Sequence, residues 1–204
     1  GEAGKAGTNP NTNSSHGGDG LSNLIAGPDN TGVGVLNPAS PGRWFAGGGA
    51  GIHFSPGTGT GGAGGGGSTS YPGMGDDGVS GTGGGGASGS IGGKGGGGIV
   101  VVRYQIASAA ATAKATGGSV SFYNSKTIHT FTSTGTFQTP GSFSETCEYV
   151  VVGGGGGAFT GGGGAGGYRT GTTPIGSSVN YTITVGGGGN AKSPIGSPSS
   201  IGTI

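Results

Sequence analysis

Two apolar patterns alternate along this chain, and blocks of glycine separate them. Ile99-Val-Val-Val-Arg-Tyr-Gln-Ile106 is an almost unbroken β-branched run. An apolar run of strand length without alternation predicts a strand buried on both faces. Ser178-Val-Asn-Tyr-Thr-Ile-Thr-Val185 alternates instead. Val179, Tyr181, Ile183 and Val185 share one face and Asn180, Thr182 and Thr184 the other, which predicts a half-buried strand. Ser119–Tyr123, Thr127–Thr132, Thr136–Thr139 and Phe143–Val152 are rich in strand formers. The turns Ser133-Thr-Gly135 and Pro140-Gly141 join them into a β-meander. Ser200–Ile204 reads as a further strand. Ala107–Thr116 is the only helix-capable stretch. It is short, lacks an apolar stripe and runs into Gly117-Gly118, so it reads as a linker.

Between these segments lie Gly64–Gly67, Gly83–Gly86, Gly95–Gly98, Gly153–Gly157, Gly161–Gly164 and Gly186–Gly189. Glycine makes up 60 of 204 residues, several times the usual share of about 7%. It has no side chain to bury and loses the most backbone entropy on folding. A collagen helix needs glycine at every third position and abundant proline; these blocks keep no strict triplet, and there are 10 prolines. A flexible linker does not account for strands that abut the blocks directly. Glycine runs can instead form polyproline-II-like helices without internal hydrogen bonds. Side by side, these satisfy each other's amides and carbonyls. The expected fold is therefore all-β: β-strand layers combined with packed polyglycine II helices, and almost no α-helix.

The organisation follows from the same pattern. Residues 1–106 form a glycine-rich half-unit that closes with the strand Ile99–Ile106. Residues 107–118 are an Ala/Thr/Gly linker. Residues 119–204 are a β-meander that opens a second glycine-rich unit. The halves are out of phase, so the chain reads as the back of one unit and the front of the next. It starts at Gly1 without a methionine, which suggests a processed product or a fragment. Such half-units are expected to complete themselves with another copy or with adjoining sequence. Ser200–Ile204 and Gly1–Gly7 are expected at that junction.

Charge narrows the partners. Only 7% of residues are charged, and the net charge is +1. No basic stripe could neutralise phosphates, so nucleic acid is not expected. No apolar run approaches the ~20 residues of a membrane span, so membrane insertion is not expected either. Cys147, the single cysteine, allows no internal disulfide.

Candidate chemistry is sparse. Val150–Ala158 satisfies G-x-G-x-x-G after a strand, but a dinucleotide site needs a helix next, and Phe159-Thr-Gly-Gly-Gly-Gly164 cannot form one. His16, His53 and His129 show no metal-ligand spacing. Asp76-Asp77 lacks the alternating oxygens and bidentate glutamate of a calcium loop and reads as a turn. No cofactor, metal or catalytic residue is expected, and the chain reads as non-enzymatic. Trp44-Phe45, His53-Phe54, Tyr71, Phe159 and Tyr168-Arg169 cluster at block boundaries. Aromatic residues with arginine suit binding surfaces, so these eight are receptor-binding candidates; the alternative is that they wedge the glycine bundle shut.

Thr127–Phe137, Glu148–Gly157, Gly161–Arg169, Tyr181–Gly189 and Gly92–Tyr104 together resemble the glycine-rich domain of phage tail-fibre and virion structural proteins. More loosely, the chain resembles the glycine-rich adhesins at the tips of long tail fibres. The first resemblance implies a virion structural protein, with other fibre subunits as partners. The second implies loops that bind host surface glycan or an outer-membrane protein. An architectural module of an extracellular filament or of a capsid or head fibre, with no receptor role, remains the alternative.

Overall fold

The computed structural model describes residues 14–25, 33–37, 40–52, 58–70, 72–106, 112–191 and 193–204. Fifteen strands and no α-helix occur among them. The first seven are short: β1 (Ser14–Ser15), β2 (Leu21–Asn23), β3 (Val35–Asn37), β4 (Ser40–Phe45), β5 (Gly51–Ile52), β6 (Thr58–Gly59) and β7 (Thr69–Ser70). The rest are β8 (Ile99–Gln105), β9 (Ser119–Tyr123), β10 (Lys126–Phe131), β11 (Gly135–Gln138), β12 (Glu145–Val152), β13 (Tyr168–Ile175), β14 (Asn180–Thr184) and β15 (Ser200–Ile201).

A five-stranded antiparallel sheet, ordered β13-β12-β8-β10-β9, is the centre of the molecule. Strand β8 sits in its middle, as its unbroken apolar run predicts, and Ile99, Val100, Val101 and Val102 are fully buried. Alternate residues enter different cores. Val100, Val102 and Tyr104 meet Phe137, Phe143, Ile183 and Ile201, which come from β11, the β11–β12 turn, β14 and β15. Ile99 and Val101 meet Phe45, Ala46, Ile25 and Tyr168 on the opposite face. The central sheet thus lies between two three-stranded sheets, β11-β14-β15 on one face and β2-β4-β3 on the other.

The segments on either side of residues 107–118 share this sheet, because β8 pairs with β12 and β10. Residues 112–118 lie against it. Ala115 is buried in the first core, Thr116 bridges Gln138, and Lys114 forms an ion pair with Glu145.

Beyond the strands the glycine blocks bond to one another, and their hydrogen bonds repeat every three residues. Gly153 and Gly156 donate to Gly167 and Gly164 (2.9 and 2.7 Å). Gly154 and Gly157 donate to Ser197 and Pro194 (2.9 Å each), and Gly155 and Ala158 to Gly96 and Gly93 (2.9 Å each). Each successive amide therefore meets a different neighbouring run, and the cycle restarts at the fourth. The same step recurs where Gly75, Gly78 and Gly81 donate to Ile91, Lys94 and Gly97 (2.9, 2.8 and 3.0 Å).

The backbones approach too closely for side chains. A Cβ on Gly155 would lie 2.1 Å from the Gly84 oxygen, and one on Gly188 would lie 1.8 Å from the Gly95 oxygen. At Gly187 it would meet nothing within 4 Å.

Two stability predictions follow from this packing. Gly155→Ala is expected to destabilise by about 1–3 kcal/mol, the cost of overpacking a filled interior. Gly187→Ala is expected to be neutral or to stabilise by up to ~1 kcal/mol through the unfolded state. Thermal melts of the two variants check the contrast. Val100→Asp and Val101→Asp should each cost about 3 kcal/mol or more, since either carboxylate enters a core. Urea unfolding would show whether one is tolerated, which would mean that β8 has a solvent face.

Candidate functional site

The glycine runs and the strands are arranged end to end. Run 92–98 leads into β8, run 153–158 leaves β12, run 162–167 leads into β13, and run 186–190 follows β14. All sheet-side ends therefore point one way, and the turns that join the runs gather at the other end. Ser90 donates from its amide to the Gly73 oxygen (2.8 Å), and Gly75 donates to Ile91 (2.9 Å). Ala158 bonds Gly93, and Gly157 bonds Pro194. The segments around residues 72–74, 89–91, 159–161 and 193–195 thus share the end of the molecule away from the sheet.

This end carries exposed apolar side chains. Met74 is 66%, Ile91 64%, Phe159 71% and Ile195 85% accessible. These four are more accessible than the chain's other exposed large apolar residues, which include Leu24, Val79 and Phe122, and they stand in or beside the turns at this end. Asp77 lies nearby and accepts the Lys94 amide (2.7 Å), and Asp76 accepts the Ala87 amide (2.9 Å); the Asp76-Asp77 pair thus belongs to the extended run 75–79 and not to the expected turn. The described residues hold no group of three or more His, Cys, Asp and Glu side chains that could bind a metal.

The structure disperses the sequence-derived candidates. Phe159 stands at the turn end. Phe45 is fully buried in the second core, and Tyr168 is 5% exposed. The Tyr168 hydroxyl accepts a hydrogen bond from Asn23 Nδ2 (2.8 Å), tying β13 to β2, and burial raises its pKa. Burial withdraws Phe45 and Tyr168 from surface contact, so they are core residues. Trp44 is half-buried on β4, and Arg169 is exposed on β13 at the sheet end. His53, Phe54 and Tyr71 lie outside the described residues. Met74, Ile91 and Ile195 are not aromatic and fall outside the pattern of candidates drawn from the sequence. Their signal is a large aliphatic residue set among turn formers, as in Pro72-Gly73-Met74, Ser90-Ile91-Gly92 and Pro194-Ile195-Gly196.

The reactive side chains serve the core. His129 is fully buried. Its Nδ1 lies 2.7 Å from the Gly117 carbonyl oxygen, which can only accept, so Nδ1 carries the proton. Nε2, 3.0 Å from the Tyr104 hydroxyl, then accepts from it, and that hydroxyl accepts the Ala115 amide (2.9 Å). The Tyr104 and His129 rings stack with centroids 5.5 Å apart, and Phe143 meets Tyr104 edge-on. Burial lowers the His129 pKa, although the Gly117 bond opposes the shift. Burial also pushes the Cys147 thiol up to about 12, so it stays protonated and inert. Burial alone would raise the Glu148 pKa, but hydrogen bonds from Lys126 and Arg103 outweigh it and hold the carboxyl below its usual value.

A family model described as a glycine-rich domain matches residues 131–203. No curated protein and no solved structure matches the chain. A glycine-rich domain is thus present over those residues, within an all-β architecture. No helix among the described residues is long and apolar enough to cross a membrane.

The neutral state of His129 sets a pH dependence. Its folded pKa lies below the unfolded value of about 6.5. As pH falls below that value the unfolded chain takes up a proton that the native state refuses, so stability declines toward pH 5. Glu148 acts in the same sense but at lower pH. Its contribution is fully present above the ordinary carboxylate range and is lost progressively as pH falls from there through its depressed folded pKa. Urea melts between pH 7 and 5 should show falling stability in wild type. In His129→Gln the slope should be flatter, on a lower baseline.

Proposed function

We propose that this protein is a non-enzymatic architectural module of a fibre, and that its glycine runs are polyglycine II helices in mutual contact. The observation that carries this reading is the threefold rotation of donors along residues 153–158. A helix with three residues per turn and no internal bonds turns each amide toward a different neighbour. The glycines of runs 92–98, 153–157 and 162–167 also avoid positive φ. Gly64, Gly65 and Gly83 have positive φ, and each belongs to a turn that enters a run. Such a bundle is stiff because its contacts are made by backbone. The burial of His129 and Cys147 supports a role without catalysis.

A fibre places the module in a phage tail fibre, a capsid or head fibre, or an extracellular filament. The strands flanking the glycine blocks favour the virion setting through their resemblance to virion proteins. A second reading adds host attachment, and the observation that favours it is the set of exposed Met74, Ile91, Phe159 and Ile195 at the turn end. A glycan face or an outer-membrane protein would be its ligand.

Backbone angles measured by NMR test the helix assignment. Values near −75° and +145° through residues 153–157 are expected, and helical values would sink it. Binding to glycan arrays and to bacterial cells separates the two functional readings. A purely architectural module binds neither. An adhesin binds, and Phe159→Ala combined with Ile195→Ala abolishes binding without changing the melting temperature.

A further inference from the structure

Run 153–158 lies at the centre of the glycine bundle, and its neighbours form an incomplete ring. Run 162–167 takes its bonds from Gly153 and Gly156, and Gly86 of run 83–88 donates to Gly156 (3.0 Å). Run 92–98 accepts from Gly155 and Ala158. Gly189 of run 186–190 donates to Gly155, and run 193–198 accepts from Gly154 and Gly157. These five runs also bond in sequence around the centre. Gly163 joins the first to the second through Gly86 (2.8 Å), and Gly96 joins the third to the second through Gly84 (2.8 Å). Gly95 joins the third to the fourth through Gly189 (2.8 Å), and Ser197 joins the fifth to the fourth through Gly187 (2.8 Å). Rods of equal width close-pack with six around one, yet among the described residues no bond joins run 193–198 back to run 162–167. A groove of about 470 Å³ occupies that sector, lined by Gly153, Gly154, Gly167, Ser197, Pro198 and Arg169 among others.

The run beside the groove carries glycines that its own chain does not require. A Cβ on Gly163 or Gly166 would lie 2.2 or 2.1 Å from a carbonyl oxygen of run 153–158. At Gly161, Gly164 and Gly167, every third residue, it would meet nothing within 4 Å, and all three are exposed. Glycine at a position open to a side chain is destabilising by roughly 0.5–1 kcal/mol relative to alanine in regular structure. The amides of Gly164 and Gly167 donate no hydrogen bond among the described residues. Two features, absent side chains and free donors, thus coincide on a run that borders a vacant position.

We propose that the vacant sixth position is filled by run 161–167 of a second copy of this chain. The contact continues the backbone packing already present on the other five sides. A twofold axis beside the two runs makes it self-complementary: each run borders its own groove, so seating one in the partner's groove seats the other reciprocally. The run's own neighbours, 46–50, 83–88 and 153–158, lie together on its other side and leave this face clear. The inference rests on the polyglycine II reading. It is read out by association state and not by backbone angle, so either can fail alone.

Light scattering over a dilution series of the full chain tests the proposal. Wild type is expected to show a monomer–dimer equilibrium. Gly164→Val with Gly167→Val should abolish the dimer and leave the melting temperature of dilute protein unchanged, because neither side chain meets its own chain. Gly187→Val, equally open but on a run that does not border the groove, should keep the dimer. A wild type that stays monomeric overturns the proposal, as does a dimer that survives the double substitution. Hydrogen exchange covers the remaining occupant. If the Gly164 and Gly167 amides are protected in a monomer, and deleting residues 1–13 exposes them, the N-terminal segment fills the groove and the dimer proposal fails.

Discussion

Every interior glycine run here must find acceptors for its amides in other runs, because its own conformation supplies none. A buried amide left without a partner costs about 1–3 kcal/mol, and a run of five or six could not bear that cost at each residue. The requirement fixes the spacing of the runs, excludes side chains from their contacts and sets their order. It also sets the order of the strands. Runs 162–167, 153–158 and 92–98 are bonded in that sequence, and the strands they continue into, β13, β12 and β8, are neighbours in the same sequence in the central sheet. Sheet and bundle are one hydrogen-bonded body whose pairing changes from a two-residue to a three-residue repeat where Val152 meets Gly153.

That change divides the labour of the molecule. On the sheet side, ordinary apolar packing holds the fold: Tyr104, Phe137 and Phe143 fill one core, and Phe45, Val101 and Val150 fill the other. On the bundle side the backbone holds itself, and the most accessible apolar side chains stand in or beside the turns. Met74, Ile91, Phe159 and Ile195 are exposed there because the bundle has no interior to receive them. Whatever meets this end meets side chains whose identity the fold does not constrain.

Much of the sheet was legible in the sequence. The β-branched run of β8 announced burial on both faces. The alternation of β14 put Ile183 in the core and Asn180, Thr182 and Thr184 in solvent. Other elements were hidden for physical reasons. Strand β13 contains Gly171 and Pro174, which read as breakers, and the sheet tolerates them because β13 is an edge. Strand β4 begins Ser40-Pro41-Gly42 and looks like a turn, yet it is the middle strand of its small sheet. The insertion of β8 between β12 and β10 joins segments far apart in sequence, and no local pattern encodes it. Among the candidate site residues, Phe159 could be placed at a turn from its flanking glycine blocks. The burial of Phe45 and Tyr168 depends on which sheet covers which, and that is a tertiary fact.

The threefold donor cycle restricts how this chain can change length. Adding or removing three residues within a run returns every later amide to the neighbour it faced before. One or two residues would turn the remainder of the run by a third of a revolution and aim each donor at the wrong rod. Insertions inside the bundle are therefore quantised in triplets, whereas the turns at the free end accept any number. A lineage of such proteins can diversify its turns residue by residue while its glycine runs grow or shrink only by whole donor cycles.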